Sequence, residues 1–214
     1  MRTLAIVPIK RFALAKSRLA ERFTPEHRQA IVEAMVADVL GALATSRELE
    51  GVLVVTNEPA AAAIAERLGA SVEADSREGG QSAAAAIGVG WAQREGYARV
   101  LLVPGDCPSL DRDELDALLR QHSGERSVVI VPDRHGSGTN ALLLSPPDVI
   151  APAFGPNSFE RHNLIARKAG LAPSVARPET LLLDIDTPAD LAALLAGPRD
   201  RAPRTRSAYA APER

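Results

Sequence analysis

The sequence predicts an α/β fold, a single domain built on a mostly parallel sheet flanked by helices. Three observations lead there. Short β-rich runs alternate with segments of helical periodicity from end to end, the order in which strands and crossover helices build a parallel sheet. The chain has 214 residues, enough for one well-buried core and short for two. Two apolar runs end abruptly in carboxylates, Val100-Leu-Leu-Val-Pro-Gly-Asp-Cys-Pro-Ser-Leu110 at Asp106 and Leu181-Leu-Leu-Asp-Ile-Asp-Thr-Pro-Ala-Asp190 at Asp184 and Asp186. Carboxyl ends of strands are where open α/β sheets bind ligands.

The elements follow in order. Residues 4–7 form the first strand, and a helix opens at Thr24-Pro25, an N-cap with proline at the first helical position. Its apolar residues Val32, Met35, Val36, Val39, Leu40 and Leu43 keep helical spacing. A strand at 52–55 leads into a helix over 57–68, closed by Gly69. A third strand covers 71–74, a loop 75–80, and an Ala-rich helix 81–95 that buries Trp91. The central strand is 99–103, followed by a helix that Asp111-Arg-Asp-Glu114 caps and that runs through Gln121. Strands at 128–131 and 141–144 flank a polar loop. Ser158 caps a helix to about Lys168, and Thr187-Pro-Ala-Asp190 caps the last one.

Composition is ordinary for a globular protein, with 46% hydrophobic and 24% charged residues. The 25 basic and 27 acidic residues nearly cancel, so no bulk positive field argues for nucleic acid. Residues 1–197 are expected to form the domain. Residues 198–214 carry five Arg against Asp200 and Glu213, a net +3 that leaves −5 for the rest, with three Pro and little apolar surface. That Arg/Pro-rich tail is expected to be disordered. Cys107 is the sole cysteine, which excludes an internal disulfide and fits a reducing compartment. Its place beside Asp106 raises a nucleophile reading, but a small buried residue in a tight turn explains it better, since no base stands nearby in sequence. No run reaches the roughly 18 apolar residues of a membrane span, and the start of the chain does not resemble a signal peptide, so a cytoplasmic protein is expected.

Acidic strand ends in one sheet point to a hard divalent cation, which takes oxygen ligands from one or two carboxylates and from substrate phosphates. Asp106, Asp184 and Asp186 are the candidate ligands and magnesium the expected metal. The loop Pro8-Ile-Lys-Arg-Phe-Ala-Leu-Ala-Lys-Ser-Arg18 follows the first strand and collects Lys10, Lys16 and Arg18, cations suited to a triphosphate; the alternative is a solvated basic loop. A glycine-rich phosphate cradle is absent, which excludes a Walker-type loop and the dinucleotide fingerprint. Gly79 and Gly80 open the Ala-rich helix and either receive a nucleobase or ribose or simply join loop to helix. Arg134-His-Gly-Ser-Gly-Thr-Asn140 is either an anion-wrapping loop with donors at Ser137 and Thr139 or a hairpin-like turn. Phe154-Gly-Pro-Asn-Ser-Phe-Glu-Arg-His162 favours the first, because Gly155, Asn157 and Ser158 open a helix whose amides attract a phosphate. Arg161 and His162 in that first turn fit best with an anion bound, although His162 is equally read as a surface residue and has no assigned role as a base.

These segments resemble the guanylyltransferases that activate a small phosphorylated carboxylic acid in the biosynthesis of the deazaflavin coenzyme F-420. The resemblance reaches to about Leu195 and rests on Val7-Pro-Ile-Lys10, Ala15-Lys-Ser-Arg-Leu19, Pro104-Gly-Asp-Cys-Pro108, Pro132-Asp-Arg-His-Gly-Ser-Gly-Thr-Asn-Ala-Leu142, Phe154-Gly-Pro-Asn-Ser158 and Asp184-Ile-Asp-Thr-Pro188. It implies a nucleotidyltransferase fold, GT-A-like and Rossmann-like, with the acid held at Thr139, Gly155 and Ser158; to this the reading of the residues adds GTP at Lys10, Lys16, Arg18, Gly79 and Gly80, and catalysis by Asp106, Lys16 and Arg18. The wider superfamily's glycine-rich first loop is replaced here by a Lys-rich one, and Gly79-Gly-Gln-Ser82 differs from the Gly-Leu-Asn pattern of close relatives. The reaction so implied joins GTP to phosphoenolpyruvate or 2-phospho-L-lactate with release of pyrophosphate, and the product passes to a following enzyme. Two alternatives stand: a sugar-phosphate or molybdopterin nucleotidyltransferase, and a non-catalytic nucleotide sensor.

Overall fold

The computed structural model describes residues 1–76 and 79–211, without the side chains of Leu14 and Ser17. Part of the expected loop at 75–80 and the end of the expected tail therefore lie outside the described residues. Strands β1 (Thr3–Ile9), β2 (Gly51–Thr56), β3 (Ser71–Glu73), β4 (Arg99–Leu102), β5 (Ser127–Pro132), β6 (Thr139–Ser145) and β7 (Ser174–Val175) form one sheet in the order β3-β2-β1-β4-β6-β5-β7. β1 pairs in parallel with β2 and β4, β2 with β3, and β5 with β7. Only β6 runs against its neighbours, β4 and β5, as a short hairpin connection from β5 requires.

The pleat divides the molecule into two cores. Ala5, Val7 and Ile9 of β1 face α1 (Pro25–Ala44), α2 (Pro59–Arg67) and α4 (Arg112–Gln121), whereas Leu4 and Ile6 face α3 (Gln81–Arg94) and the side of α5 (Ser158–Lys168). Strand residues one apart in sequence thus serve opposite layers. The Ala-rich composition of α3 allows a close approach: a Cβ on Gly88 would stand 2.4 Å from Ile6 Cγ2. Thr24 caps α1 by accepting from the His27 amide at 3.2 Å, with Pro25 next, as the sequence predicts. Trp91 is half-buried and stacks on Tyr97 with ring centroids 6.1 Å apart.

Three expectations need correction. The run from Leu181 to Asp184 is not a strand but a 3-10 turn over Glu179–Leu181 followed by irregular chain. β4 is hydrogen-bonded on both sides, by β1 and β6, so this segment cannot pair beside it and is anchored instead by the buried side chains of Leu181 and Ile185. Ser158 is the first residue of α5 rather than its cap; the cap is Asn157, in the left-handed region at φ 56° with no side-chain capping bond. The expected disordered tail instead contains α7 (Pro203–Ala210), docked on α1. Buried Asp38 of α1 accepts from the Thr205 amide at 2.9 Å and its hydroxyl at 2.8 Å, satisfying the helix start. Arg206 donates to the carbonyls of Leu194 at 2.6 Å and Leu195 at 3.1 Å, closing α6 (Pro188–Ala196), whose last turn has no basic residue of its own. Composition reads those arginines as part of a disordered extension; in place Arg206 is a hydrogen-bond donor to a helix end. Among the described residues, no helix is long and apolar enough to cross a membrane.

Candidate active site

From β1 the chain winds outward through β2 and β3, then returns to place β4 on the other side of β1. At that reversal the loops after neighbouring strands diverge and leave a crevice. A cavity of about 580 Å³ opens there. It receives Lys10, Lys16 and Arg18 after β1, Gly105 and Asp106 after β4, Thr139 and Asn140 at the start of β6, Gly155, Asn157 and Ser158 before and at the start of α5, and Asp184 and Asp186. Gly80 lines it too, in the positive-φ region at 87°, with Gly79 exposed beside it. Val32, Met35 and Val36 of α1 make an apolar wall, and a Cβ on Gly105 would lie only 3.2 Å from Val36.

One end of the cavity is ionic. Lys16, held in the left-handed region at φ 53°, turns its ammonium back between Asp106 and Asp186, 2.5 Å from a carboxylate oxygen of each. Burial alone would lower the Lys16 pKa, but the two carboxylates outweigh it and the net shift is upward, so the ammonium stays charged. The Asp186 segment is tied down by backbone and side-chain bonds rather than by the sheet. The Ile185 amide donates to the Asp106 carbonyl at 2.9 Å, and Asp190 accepts from the amides of Asp186 at 3.1 Å and Thr187 at 2.7 Å. Arg134 in turn donates to Asp190, joining the loop before β6 to this turn. Asn140 bridges the Leu181 carbonyl at 2.9 Å and the Asp184 carboxylate at 3.2 Å. Burial, then the charge of Asp106, raises the Asp184 carboxyl above its ordinary range.

Among the described residues, no three His, Cys, Asp or Glu side chains converge as a self-sufficient metal cage. The residues still fit a divalent cation. Asp106 Oδ1 is buried without a hydrogen-bond partner, and the Lys16 ammonium already places positive charge between the two aspartates. A cation there would take the remaining ligands from substrate oxygens. Cys107 is buried, and burial together with Asp106 pushes its thiol up, away from the thiolate a nucleophile needs.

Away from that ion pair the cavity is lined by the neutral side chains of Thr139 and Ser158, together with the carboxylate of Asp133. Asp133 fills the loop that the sequence offers as an anion wrap: it accepts from the amides of Ser137 at 2.9 Å and Gly138 at 2.8 Å and from the Ser137 hydroxyl at 3.2 Å. Burial pushes the Asp133 carboxyl up, but these bonds outweigh burial and the net shift is downward. The wrapped anion is thus the protein's own, and Ser137 is spent on it. Thr139 lines the cavity, as does Ser158 at the start of α5. Arg161 and His162 do not wait there as unpaired cations. Arg161 donates to the carbonyls of Ala153 at 3.1 Å and Pro156 at 2.6 Å. His162 is fully buried, between Thr139 at 3.0 Å and the Ala153 amide at 2.9 Å. Ser82 accepts from the Phe154 amide at 2.8 Å, linking the start of α3 to the same loop. The sequence reading missed the parts of Asp190, Asn140, His162 and Ser82; only Asp190 left a signal, its place in the capping box, which says nothing of Asp186.

The family model described as "Guanylyl transferase CofC like" matches residues 3–205 of this chain. The chain belongs to the CofC-like guanylyl transferases. Among its relatives, a phosphoenolpyruvate guanylyltransferase of Conexibacter woesei is 48% identical over 195 residues, 91% of this chain and 87% of that protein. A 2-phospho-L-lactate guanylyltransferase of Methanothermobacter thermautotrophicus is 34% identical over 91% of this chain and 85% of that protein. The fold also matches a putative nucleotide-diphospho-sugar transferase from Desulfovibrio desulfuricans, with a TM-score of 0.75 at 18% identity over 98% of this chain and 94% of that one. Membership in the CofC-like family makes this chain a guanylyltransferase and sets aside the non-catalytic sensor.

Proposed function

We propose that this guanylyltransferase joins GTP to a small acid bearing a phosphate next to a carboxylate, phosphoenolpyruvate before 2-phospho-L-lactate. The observation that carries the reading is that one cavity joins an ionic end, where Lys16 lies between Asp106 and Asp186, to an end lined by the hydroxyl residues Thr139 and Ser158 and by Gly155 at the start of α5. A triphosphate suits the first and a compact anion the second. A phosphate oxygen of the acid attacks the α-phosphorus of GTP, the bond to the β-phosphate breaks, and pyrophosphate leaves with that electron pair. The attacking oxygen is already ionised, so no protein nucleophile is required, which agrees with a buried, protonated Cys107. Lys10 and Arg18, exposed at the cavity, balance the triphosphate charge, while Lys16 holds Asp106 and Asp186 together. Asp106 and Asp186, with Asp184 beside them, would hold a divalent cation such as magnesium, which when bound polarises phosphoryl oxygens. Gly80 and its neighbour Gly79 let the nucleoside approach the start of α3. The name of the 48% identical relative supports phosphoenolpyruvate as the first acid to try. The reading places the enzyme in coenzyme F-420 biosynthesis, with its mixed diester passed to a following enzyme. Incubation with magnesium, each of the four nucleoside triphosphates and a panel of phosphorylated acids should give pyrophosphate only with GTP and a 2-phosphorylated three-carbon acid. Equal release with CTP, or with a sugar phosphate, would overturn the assignment.

A further inference from the structure

Among the buried titratable groups, His162 is one to which the reaction outlined above gives no task. Its imidazole is fully buried, edge-on to Phe154 at a centroid distance of 5.2 Å, with a partner at each nitrogen. The partner at Nε2 is a backbone amide, that of Ala153 at 2.9 Å, and an amide can only donate. Nε2 therefore carries its lone pair toward Ala153. Burial, reinforced by the charge of Arg161, holds the imidazole down at a pKa of about 4, so the ring is neutral near pH 7. A neutral ring whose Nε2 accepts must have its proton on Nδ1, and Nδ1 lies 3.0 Å from the Thr139 hydroxyl. The hydroxyl must then accept from His162. Its own proton is left to point elsewhere, and Thr139 lines the cavity.

We infer that His162 is a positioning residue for the acid pocket: by donating to Thr139 Oγ1 while accepting from Ala153, it commits the Thr139 hydroxyl to act as a donor toward an anion in the cavity. The same ring pins the chain just before Gly155 and so joins the two loops between which the acid lies. This assignment of the pocket to the acid rests on the function proposed above, whereas the tautomer does not. A hydroxyl so oriented selects for an acceptor and against a group that can only donate, such as an ammonium, and its bond is strongest to an ionised oxygen such as that of a phosphate or carboxylate.

Two variants separate the two bonds of the ring. His162→Gln can still accept from Ala153 but cannot donate to Thr139, while His162→Asn can donate to Thr139 but cannot reach Ala153. His162→Gln is expected to raise KM for phosphoenolpyruvate about tenfold, the cost of misdirecting one donor to a charged group, with KM for GTP unchanged. His162→Asn should lower the Tm yet keep KM for phosphoenolpyruvate within about threefold of wild type. In a Thr139→Ala background, where there is no hydroxyl left to orient, His162→Gln should add less than about twofold. Equal rises in both KM values, full additivity in that background, or no rise at all would overturn the inference. Ring nitrogen shifts from ¹⁵N NMR of the wild-type enzyme decide it without any variant folding: a proton on Nδ1 and none on Nε2 supports it, and the reverse tautomer ends it. If wild-type enzyme shows the expected tautomer but releases no pyrophosphate with phosphoenolpyruvate, the proposed substrate fails and the orientation of Thr139 stands.

Discussion

At the strand-end side of the cavity, Lys16, Asp106 and Asp186 hold three formal charges within 2.5 Å contacts, whereas across it Thr139, Ser158 and His162 are buried and carry none near pH 7. In the function proposed, the two ends meet the same problem, holding an anionic substrate, by different physics. Charge acts over distance and tolerates imprecise placement, so flexible lysine and arginine side chains on a loop suffice. Neutral donors act only at hydrogen-bond range and angle, so they need a scaffold that fixes each proton. That difference explains why the neutral end is framed by Asp133, Arg161, Ser82 and His162, whose bonds go to backbone or hydroxyl groups around it, while Lys10 and Arg18 stand exposed.

The sharpest way to break the comparison is to remove charge. Asp106→Asn or Asp186→Asn should lower turnover roughly a thousandfold, or about 4 kcal/mol of transition-state stabilisation, with the circular dichroism spectrum retained. Near-normal pyrophosphate release by Asp106→Asn would show that the ionic end is structural only. The neutral end should instead reveal itself in acid. The His162 pKa is depressed from 6.5 to about 4, so the unfolded chain binds the proton more readily than the folded one. Stability is then full above pH 6.5 and falls as pH drops toward 4, by up to about 3 kcal/mol from this residue. Thermal unfolding across that window should show the slope in wild type and a shallower one in His162→Gln; parallel curves would place His162 outside a neutral, buried setting. Smaller still, Thr139→Ala and Ser158→Ala should each weaken phosphoenolpyruvate binding by about 1 to 3 kcal/mol in calorimetric titration and leave GTP untouched. Loss of GTP affinity with unchanged acid binding would exchange the two ends. The smallest effect belongs to Cys107→Ala, expected to keep most activity at a cost of about 1 kcal/mol in stability. An inactive but folded variant, or a nucleotidyl adduct on the protein by mass spectrometry, would return the cysteine to the chemistry.

The order of β1 to β6 and α1 to α6, the cap at Thr24, the glycine after α2 and the approach of Lys10, Lys16, Arg18, Asp106 and Asp186 to one place were legible in the sequence, because periodicity, capping and the acidic ends of apolar runs are local. Contacts across the chain were not. Leu181-Leu-Leu183 has the composition of a strand, and it takes the sheet to show that both sides of β4 are already occupied. The arginines after Pro198 look like a solvated tail until Asp38 and the end of α6 are beside them. Glycines flanking Ser137 suggest an open cradle, and only the folded loop shows Asp133 filling it.

The sequence by itself determined the α/β class, the family segments and the residue types that meet at the cavity, since each depends on neighbours within a few positions. Tertiary structure decided which groups retain charge and which direction each proton points. Lys16 owes its ionised state to carboxylates 90 and 170 residues away in the chain. The tautomer of His162 follows from an amide nine residues before it in the chain and a hydroxyl 23 residues before it. Protonation and hydrogen-bond direction depend on burial and on partners at ångström range, and those exist only once distant segments have packed.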